Sequence, residues 1–341
     1  MTGANDVLNR DFDLVLVLSG GNALGAFQAG VYQALHENSL RPDWIVGASI
    51  GAINGAIIAG TAVDCRLQAL SRFWEPDTYA ADLGRSPWYT SILEAGRRTA
   101  AATWTLGVGR PGIFGPLLSS LSPWTDNRSS IFETNQLEAT LERIVDFEEL
   151  NKGECRFTAT AVDLATGDDV IFDGNDSRIG SRQIRASAAL PVVFPPVEVD
   201  GRWLVDGGLS ANLPLDPVFL DPPSRPTLCV AVDLLPLGQR LPTTIGETAS
   251  RMQDLIFAAQ SRRSIARWRS AYADRKDVRI SLVRIAYTEQ EAEVAGKALD
   301  FSGPTIEQRW LAGYESALGI IQRIRMGALG IGRRGLNVVD L

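Results

Sequence analysis

Three features of this sequence are candidates for chemistry. Ser49 stands in Gly47-Ala48-Ser49-Ile50-Gly51, after the apolar run W-I-V and before the small residues Ala52, Asn54 and Gly55. An apolar strand that enters a sharp turn and leaves as a small-residue helix lifts a serine hydroxyl out at a helix N-terminus, the setting of a nucleophile elbow. The same residues also suit a tight turn whose serine only caps the helix. A serine nucleophile needs a base, and the 341-residue chain holds a single histidine, His36. His36 precedes Ser49 and lies near the end of the helical stretch A-G-V-Y-Q-A-L-H-E-N, where a solvent-facing side chain is expected. Ser-His-Asp hydrolases of the α/β type place histidine after serine, so the base is sought among the carboxylates.

The second feature is Asp206-Gly207-Gly208. Val197-Glu198-Val199 and Trp203-Leu204-Val205 alternate apolar and polar residues around Asp200-Gly201, which predicts a hairpin with a two-residue turn. That hairpin delivers Asp206 at a strand end, followed by two glycines that let a loop approach another backbone; an ordinary Asp-Gly turn is the plainer reading. A third candidate is Ser19-Gly20-Gly21-Asn22-Ala23-Leu24-Gly25, between an apolar strand at 13–18 and a helix at 26–37. Strand, glycine-rich loop and helix aim backbone N–H groups at an anion. A dinucleotide fingerprint requires glycine at Asn22, and a P-loop requires Lys-Ser/Thr where Ala26-Phe27 stand. Both fail, which leaves an oxyanion hole or a close strand-to-helix turn.

The elements around these residues follow from periodicity. Residues 63–74 predict an amphipathic helix with Val63, Leu67, Leu70 and Trp74 on one side. From Glu75 to Ser130 the pattern loosens into a Pro/Gly-rich excursion carrying Trp88, Tyr89, Trp104, Phe114 and Trp124, which suits either a lid or apolar wall or a satellite cluster pinning an insertion. Thr134 reads as the cap of a helix to about Ile144. Strands are predicted at 155–162, 169–172, 227–232 and 278–285, the last of the chain. Helices are predicted at 181–189, 245–273 and 305–326, with an irregular Gly-rich tail after them. The arginines of 245–273, at 251, 262, 263, 267 and 269, suit a solvated face or contact with anionic lipid. Strands alternating with helices predict a three-layer α/β/α sandwich around a mostly parallel sheet.

Composition excludes several classes. With 33 basic against 40 acidic residues, the net charge of −7 argues against a nucleic-acid partner. Three widely spaced cysteines, Cys65, Cys155 and Cys229, form no zinc or disulfide framework. No ligand cluster is apparent, so neither a metal nor another cofactor is expected. The N-terminus lacks a secretory pattern and no run of eighteen apolar residues exists. A cytoplasmic chain, touching membranes at most peripherally, is expected.

Gly20 to Gly25, Gly47 to Gly51, the block S-A-A-L-P-V-V-F-P-P at 187–196 and Asp206-Gly207-Gly208 occur in this order, and together they make the chain resemble the patatin-like phospholipases. The resemblance covers about 13–220, a domain interrupted by the 75–130 insertion, and leaves 221–341 as a C-terminal α/β extension packed on it. It implies a lipid acyl hydrolase with a Ser-Asp dyad: Ser49 as nucleophile, Asp206 as base, and an oxyanion hole from the N–H groups of Gly20, Gly21 and Asn22. The family loop usually reads G-G-G-x-R-G, and here Asn22 and Leu24 replace the third glycine and the arginine. Asparagine tolerates left-handed backbone, so the donor can survive. Lipid or another acyl ester is the expected partner; the oligomeric state is open. Two other readings are a cytosolic esterase or thioesterase acting on soluble acyl compounds, and a catalytically weak module that binds lipid or protein through the aromatic insertion.

Overall fold

The computed structural model describes residues 10–75, 91–116, 129–288 and 290–340. Pro76, Pro87, Trp88, Tyr89, Pro123 and Trp124 of the aromatic insertion lie outside the described residues.

Strands β1 (Asp13–Leu18), β2 (Trp44–Ala48), β3 (Gly115–Pro116), β4 (Phe132–Glu133), β5 (Arg156–Asp163), β6 (Asp169–Asp173), β7 (Val197–Val199), β8 (Arg202–Asp206), β9 (Thr227–Asp233), β10 (Arg279–Ala286) and β11 (Gly335–Asp340) follow in chain order. Nine of them form one sheet, in the order β11-β10-β9-β1-β2-β5-β8-β7 with β6 also on β5. Pairings from β11 to β5 are all parallel, and the pairings of β5 with β6, β5 with β8 and β7 with β8 are antiparallel. Near-continuous apolar runs mark strands buried on both faces. In β1, Leu14, Leu16 and Leu18 join one core, whereas Val15 and Val17 join the other. The fold is therefore an α/β sandwich with a mostly parallel central sheet.

The first core is closed by the helices Ala26–Glu37, Ile50–Ala59 and Gly303–Arg325. Ala26–Glu37 and Gly303–Arg325 cross with backbones almost touching: a Cβ on Gly313 would lie 1.9 Å from the Phe27 carbonyl oxygen, and one on Gly30 would lie 1.8 Å from that of Trp310. Backbone cannot yield as a flexible side chain does. Gly313→Ala should therefore cost about 1–3 kcal/mol, seen as a lower urea midpoint at unchanged slope.

Three sequence expectations need correction. The tail after Gly303–Arg325 is not irregular: Gly335–Asp340 pairs in parallel with β10 from Arg279↔Gly335 to Arg284↔Asp340, so the strand ending at Ala286 is not the last. Its short L-N-V-V run is too brief to stand out beside the glycines. Second, the stretch between Glu75 and Ser130 contains an 18-residue helix, Ser91–Val108. Arg97 ties it to Ser302 and Thr305, and Arg98 to Glu293. Third, Thr134 occupies the cap position of Asn135–Ile144 but makes no side-chain cap; Glu133 Oε1 instead accepts from the N–H groups of Thr134 and Asn135, at 2.9 and 3.1 Å.

Candidate active site

Strand β5 brings the two chemical features together. Its stretch Arg156–Thr160 pairs with β2, ending at Ala48↔Thr160, and its next residue opens the pairing with β8, Ala161↔Asp206. Strand β6 occupies the other edge of β5, so β2 and β8 meet end to end along the same edge. Ser49 leaves the tip of β2 where Asp206 leaves the tip of β8.

The turn at Ser49 is strained. Ser49 has φ 56° and ψ −127°, outside the regions that L-residues favour. The strand and helix arms pack so tightly that a Cβ on Gly47 would sit 2.5 Å from the Ala52 nitrogen, and one on Gly51 would sit 2.2 Å from the Leu18 carbonyl oxygen. Ser49 makes no side-chain cap on the helix Ile50–Ala59, so capping does not account for the serine. Its hydroxyl instead stands beside the Asp206 carboxylate, close enough to pull that group's pKa down.

Asp206 is buried, and burial pushes its pKa up to about 6 against the pull of the neighbouring Ser49 hydroxyl and the Gly208 N–H. The Gly208 N–H donates to Asp206 Oδ1 at 2.7 Å. A carboxylate so poised can take a proton near neutral pH, which an ordinary aspartate does poorly. His36 takes no part: it contacts Tyr32 Oη at 3.3 Å, and burial with the Arg41 and Arg66 charges lowers its pKa.

The glycine-rich loop runs beside Ser49. Asn22 has φ 51°, the left-handed conformation its residue type tolerates. The N–H groups of Gly21 and Asn22 donate to no described residue. Gly20 differs and corrects the expectation that it donates to an oxyanion: its N–H is committed to the Asn212 carbonyl at 3.0 Å. Its place in the loop is steric, since a Cβ there would meet Asn212 Oδ1 at 2.5 Å and Ser49 Cβ at 3.1 Å.

Sequence reasoning missed four residues that hold this arrangement. The Ser187 carbonyl accepts from both the Ser49 and Gly207 N–H groups, at 3.1 and 3.3 Å, and so bolts the two chemical segments to one atom. Its block was visible in the sequence but its task was not. Asn212 donates from Nδ2 to the Gly20 carbonyl at 3.3 Å, and its own N–H reaches Gln260 Oε1 at 3.0 Å. Arg309, fully buried, donates to the Ala23 carbonyl at 3.0 Å, so a guanidinium reaches the loop although Leu24 carries none. No periodicity marks Asn212, Gln260 or Arg309.

Ser49 and Asp206 open into a cavity of about 400 Å³ whose walls include Leu106, Ile113, Phe132, Leu190, Phe194 and Phe257. Phe114, fully buried, packs on Phe132 and Phe194 with ring centroids 4.8 and 5.2 Å away. The described part of the 75–130 insertion thus supplies both a wall and a pinning cluster. An alcohol, a buried carboxylate and backbone amides without a described acceptor at the foot of an apolar cavity can transfer an acyl group.

The profile of the family described as patatin-like phospholipase matches residues 16–219. The chain belongs to the patatin-like phospholipase family. A second profile, described as patatin phospholipase, matches residues 241–326. An NTE family protein of Mycobacterium tuberculosis is 28% identical over 205 residues, which are 60% of this chain and 45% of that protein. Lysophospholipase NTE1 of Meyerozyma guilliermondii is 25% identical over 235 residues, 69% of this chain and 13% of that protein. The chain thus spans less than half the length of either relative. Human GIVD cytosolic phospholipase A2 superposes with a TM-score of 0.41 at 11% identity, covering 94% of this chain and 62% of that one. In this patatin-like chain, no described helix is long and apolar enough to cross a membrane, and the described residues hold no His/Cys/Asp/Glu group suited to a metal.

Proposed function

We propose that this patatin-like protein is a serine lipid acyl hydrolase that cleaves carboxylic esters of phospholipids or related acyl lipids with a Ser49–Asp206 dyad. The observation that carries the reading is the juxtaposition of a strained Ser49 and a buried Asp206 at adjoining strand ends, both lining the foot of one apolar cavity. As the Ser49 Oγ attacks the ester carbonyl carbon, its proton passes to the Asp206 carboxylate. The Gly21 and Asn22 N–H groups and the positive end of the helix Ile50–Ala59 face the charge that develops on the carbonyl oxygen. Collapse of the tetrahedral intermediate breaks the ester C–O bond, and Asp206 returns the proton to the departing alcohol. Water then attacks the acyl-serine, giving its proton to Asp206, and releases the fatty acid with Ser49 restored. The apolar walls accept the acyl chain; burying a methylene is worth about 0.8 kcal/mol, so chain length should govern affinity.

The test is covalent. An alkyl fluorophosphonate should label the protein at one site, and peptide mapping should return the fragment bearing Ser49. Labelling at another residue refutes the assigned nucleophile. A module that only binds lipid gives neither labelling nor turnover of lysophospholipid or p-nitrophenyl acyl esters.

A further inference from the structure

We propose that the outward face of the helix Ile245–Ala271 docks the protein on anionic lipid bilayers, setting the mouth of the Ser49 cavity against the source of its acyl substrates. The inference rests on the hydrolase reading only for what the docking serves; the docking itself is a binding event.

The helix is two-sided. Asp254, Ala258, Ser261, Ile265 and Trp268 are buried at three- and four-residue spacing. On the opposite side Ile245, Met252 and Ile256 line up at helical spacing and are 91%, 60% and 52% exposed, with Leu255 beside them. Large aliphatic side chains in a row on one helix face mark an interaction surface. The same ridge continues into Arg263, and the exposed Arg262 and Arg269 lie farther round the helix on the Leu255 side. Among the described residues these three guanidiniums make no ion pair or hydrogen bond, whereas Arg267 on the same helix pairs with Asp216 and Arg251 donates to the Pro236 carbonyl. An apolar stretch beside unpaired cations on one helix is the pattern of a helix lying in a bilayer interface.

Position identifies the occupant as a lipid surface. Gln253 and Phe257, on the adjoining flank of this helix, line the cavity at Ser49. Leu106 and Ile131 also line the cavity and stand 52% and 39% exposed. Val192, between the lining residues Pro191 and Val193, is 67% exposed at φ 72°, a conformation costly for a β-branched residue. The apolar collar is thus continuous in character with the cavity it surrounds. A chain of net charge −7 is repelled by an anionic surface unless cations are gathered where it docks, and Arg262, Arg263 and Arg269 gather them.

The experiment is vesicle co-sedimentation of the full chain carrying Ser49→Ala, so that no lipid is consumed and binding is read apart from catalysis. Vesicles of phosphatidylcholine are compared with vesicles containing phosphatidylglycerol, whose anionic surface attracts basic side chains. Binding should be at least ten-fold tighter to the anionic vesicles and weaken with salt. Arg262→Gln/Arg263→Gln/Arg269→Gln should remove that preference, and Met252→Asp/Ile256→Asp should weaken binding to both vesicle types, with thermal melts confirming folded protein. Binding indifferent to both sets of changes overturns the proposal. So does a stable dimer that the Met252→Asp/Ile256→Asp variant dissociates, which gives the face to a second copy. If Ser49 proves not to be the nucleophile but vesicle binding behaves as stated, the docking surface stands and only the hydrolase reading falls.

Discussion

Ser49→Ala should lower ester turnover by a factor on the order of 10⁴–10⁶, the scale seen when a serine hydrolase loses its nucleophile, with a stability loss of at most about 1–2 kcal/mol from the lost contact with Asp206. Alanine fits the site sterically, since the Ser49 side chain caps nothing and its main-chain bonds to Ser187 persist. Ser49→Gly should be equally inactive and should resist urea better than Ser49→Ala. The reason is the backbone: φ 56° with ψ −127° is a conformation that only glycine enters without strain, and such strain costs on the order of 1–3 kcal/mol. Steady-state rates on a p-nitrophenyl ester and urea titrations of the three proteins check both statements. Turnover surviving in either variant would remove Ser49 from the chemistry.

Asp206→Asn should cost about 10²–10⁴ in kcat/KM, the usual contribution of a positioned base, while making the protein more stable at neutral pH. Burial is the largest influence on this carboxyl and raises its pKa to about 6. Below about pH 4 the group is protonated in folded and unfolded chains alike and costs nothing. Between pH 4 and pH 6 the unfolded chain ionises first, so the folded state binds more protons and stability falls as pH rises. Above pH 6 the full penalty is present, about 3 kcal/mol for a shift of roughly two units. Asparagine, uncharged, escapes it and can still accept from the Gly208 N–H. The wild-type protein and the variant should therefore unfold at similar urea concentrations near pH 4 and diverge towards pH 8. Catalysis moves the opposite way: kcat/KM of the wild type should rise with pH through about 6 as the base ionises. A pH-independent rate, or a less stable Asp206→Asn at pH 8, contradicts the assignment.

In the proposed dyad the same buried carboxylate takes the place that histidine holds in other serine hydrolases. An imidazole titrates near neutrality without help, whereas an aspartate reaches that range only if the fold withholds water from it. That withholding is the work of β8, the Ser187 block and the cavity wall together.

The local pattern fixed the strand, turn and helix at Ser49, because small residues at Gly47 and Gly51 leave no other way to pass strand against helix. It also fixed the Asp200-Gly201 hairpin, whose central residues take φ 50° and 76° as a two-residue turn requires, and hence the strand end that carries Asp206. Both are decided within a few residues, so they are legible in the chain itself. So was the central parallel sheet, through unbroken apolar runs such as Asp13–Leu18 and Thr227–Asp233. What tertiary structure alone decided is how these pieces meet. Nothing in the residues near Ser49 states that β5 aligns Ala48 and Asp206 on consecutive positions, or that the Asn212 carbonyl takes the Gly20 N–H while those of Gly21 and Asn22 meet no described acceptor. Nor does it tell that Arg309, nearly three hundred positions from Ala23 along the chain, steadies the loop. Such contacts depend on register and on closing long stretches of chain, and no local propensity encodes either.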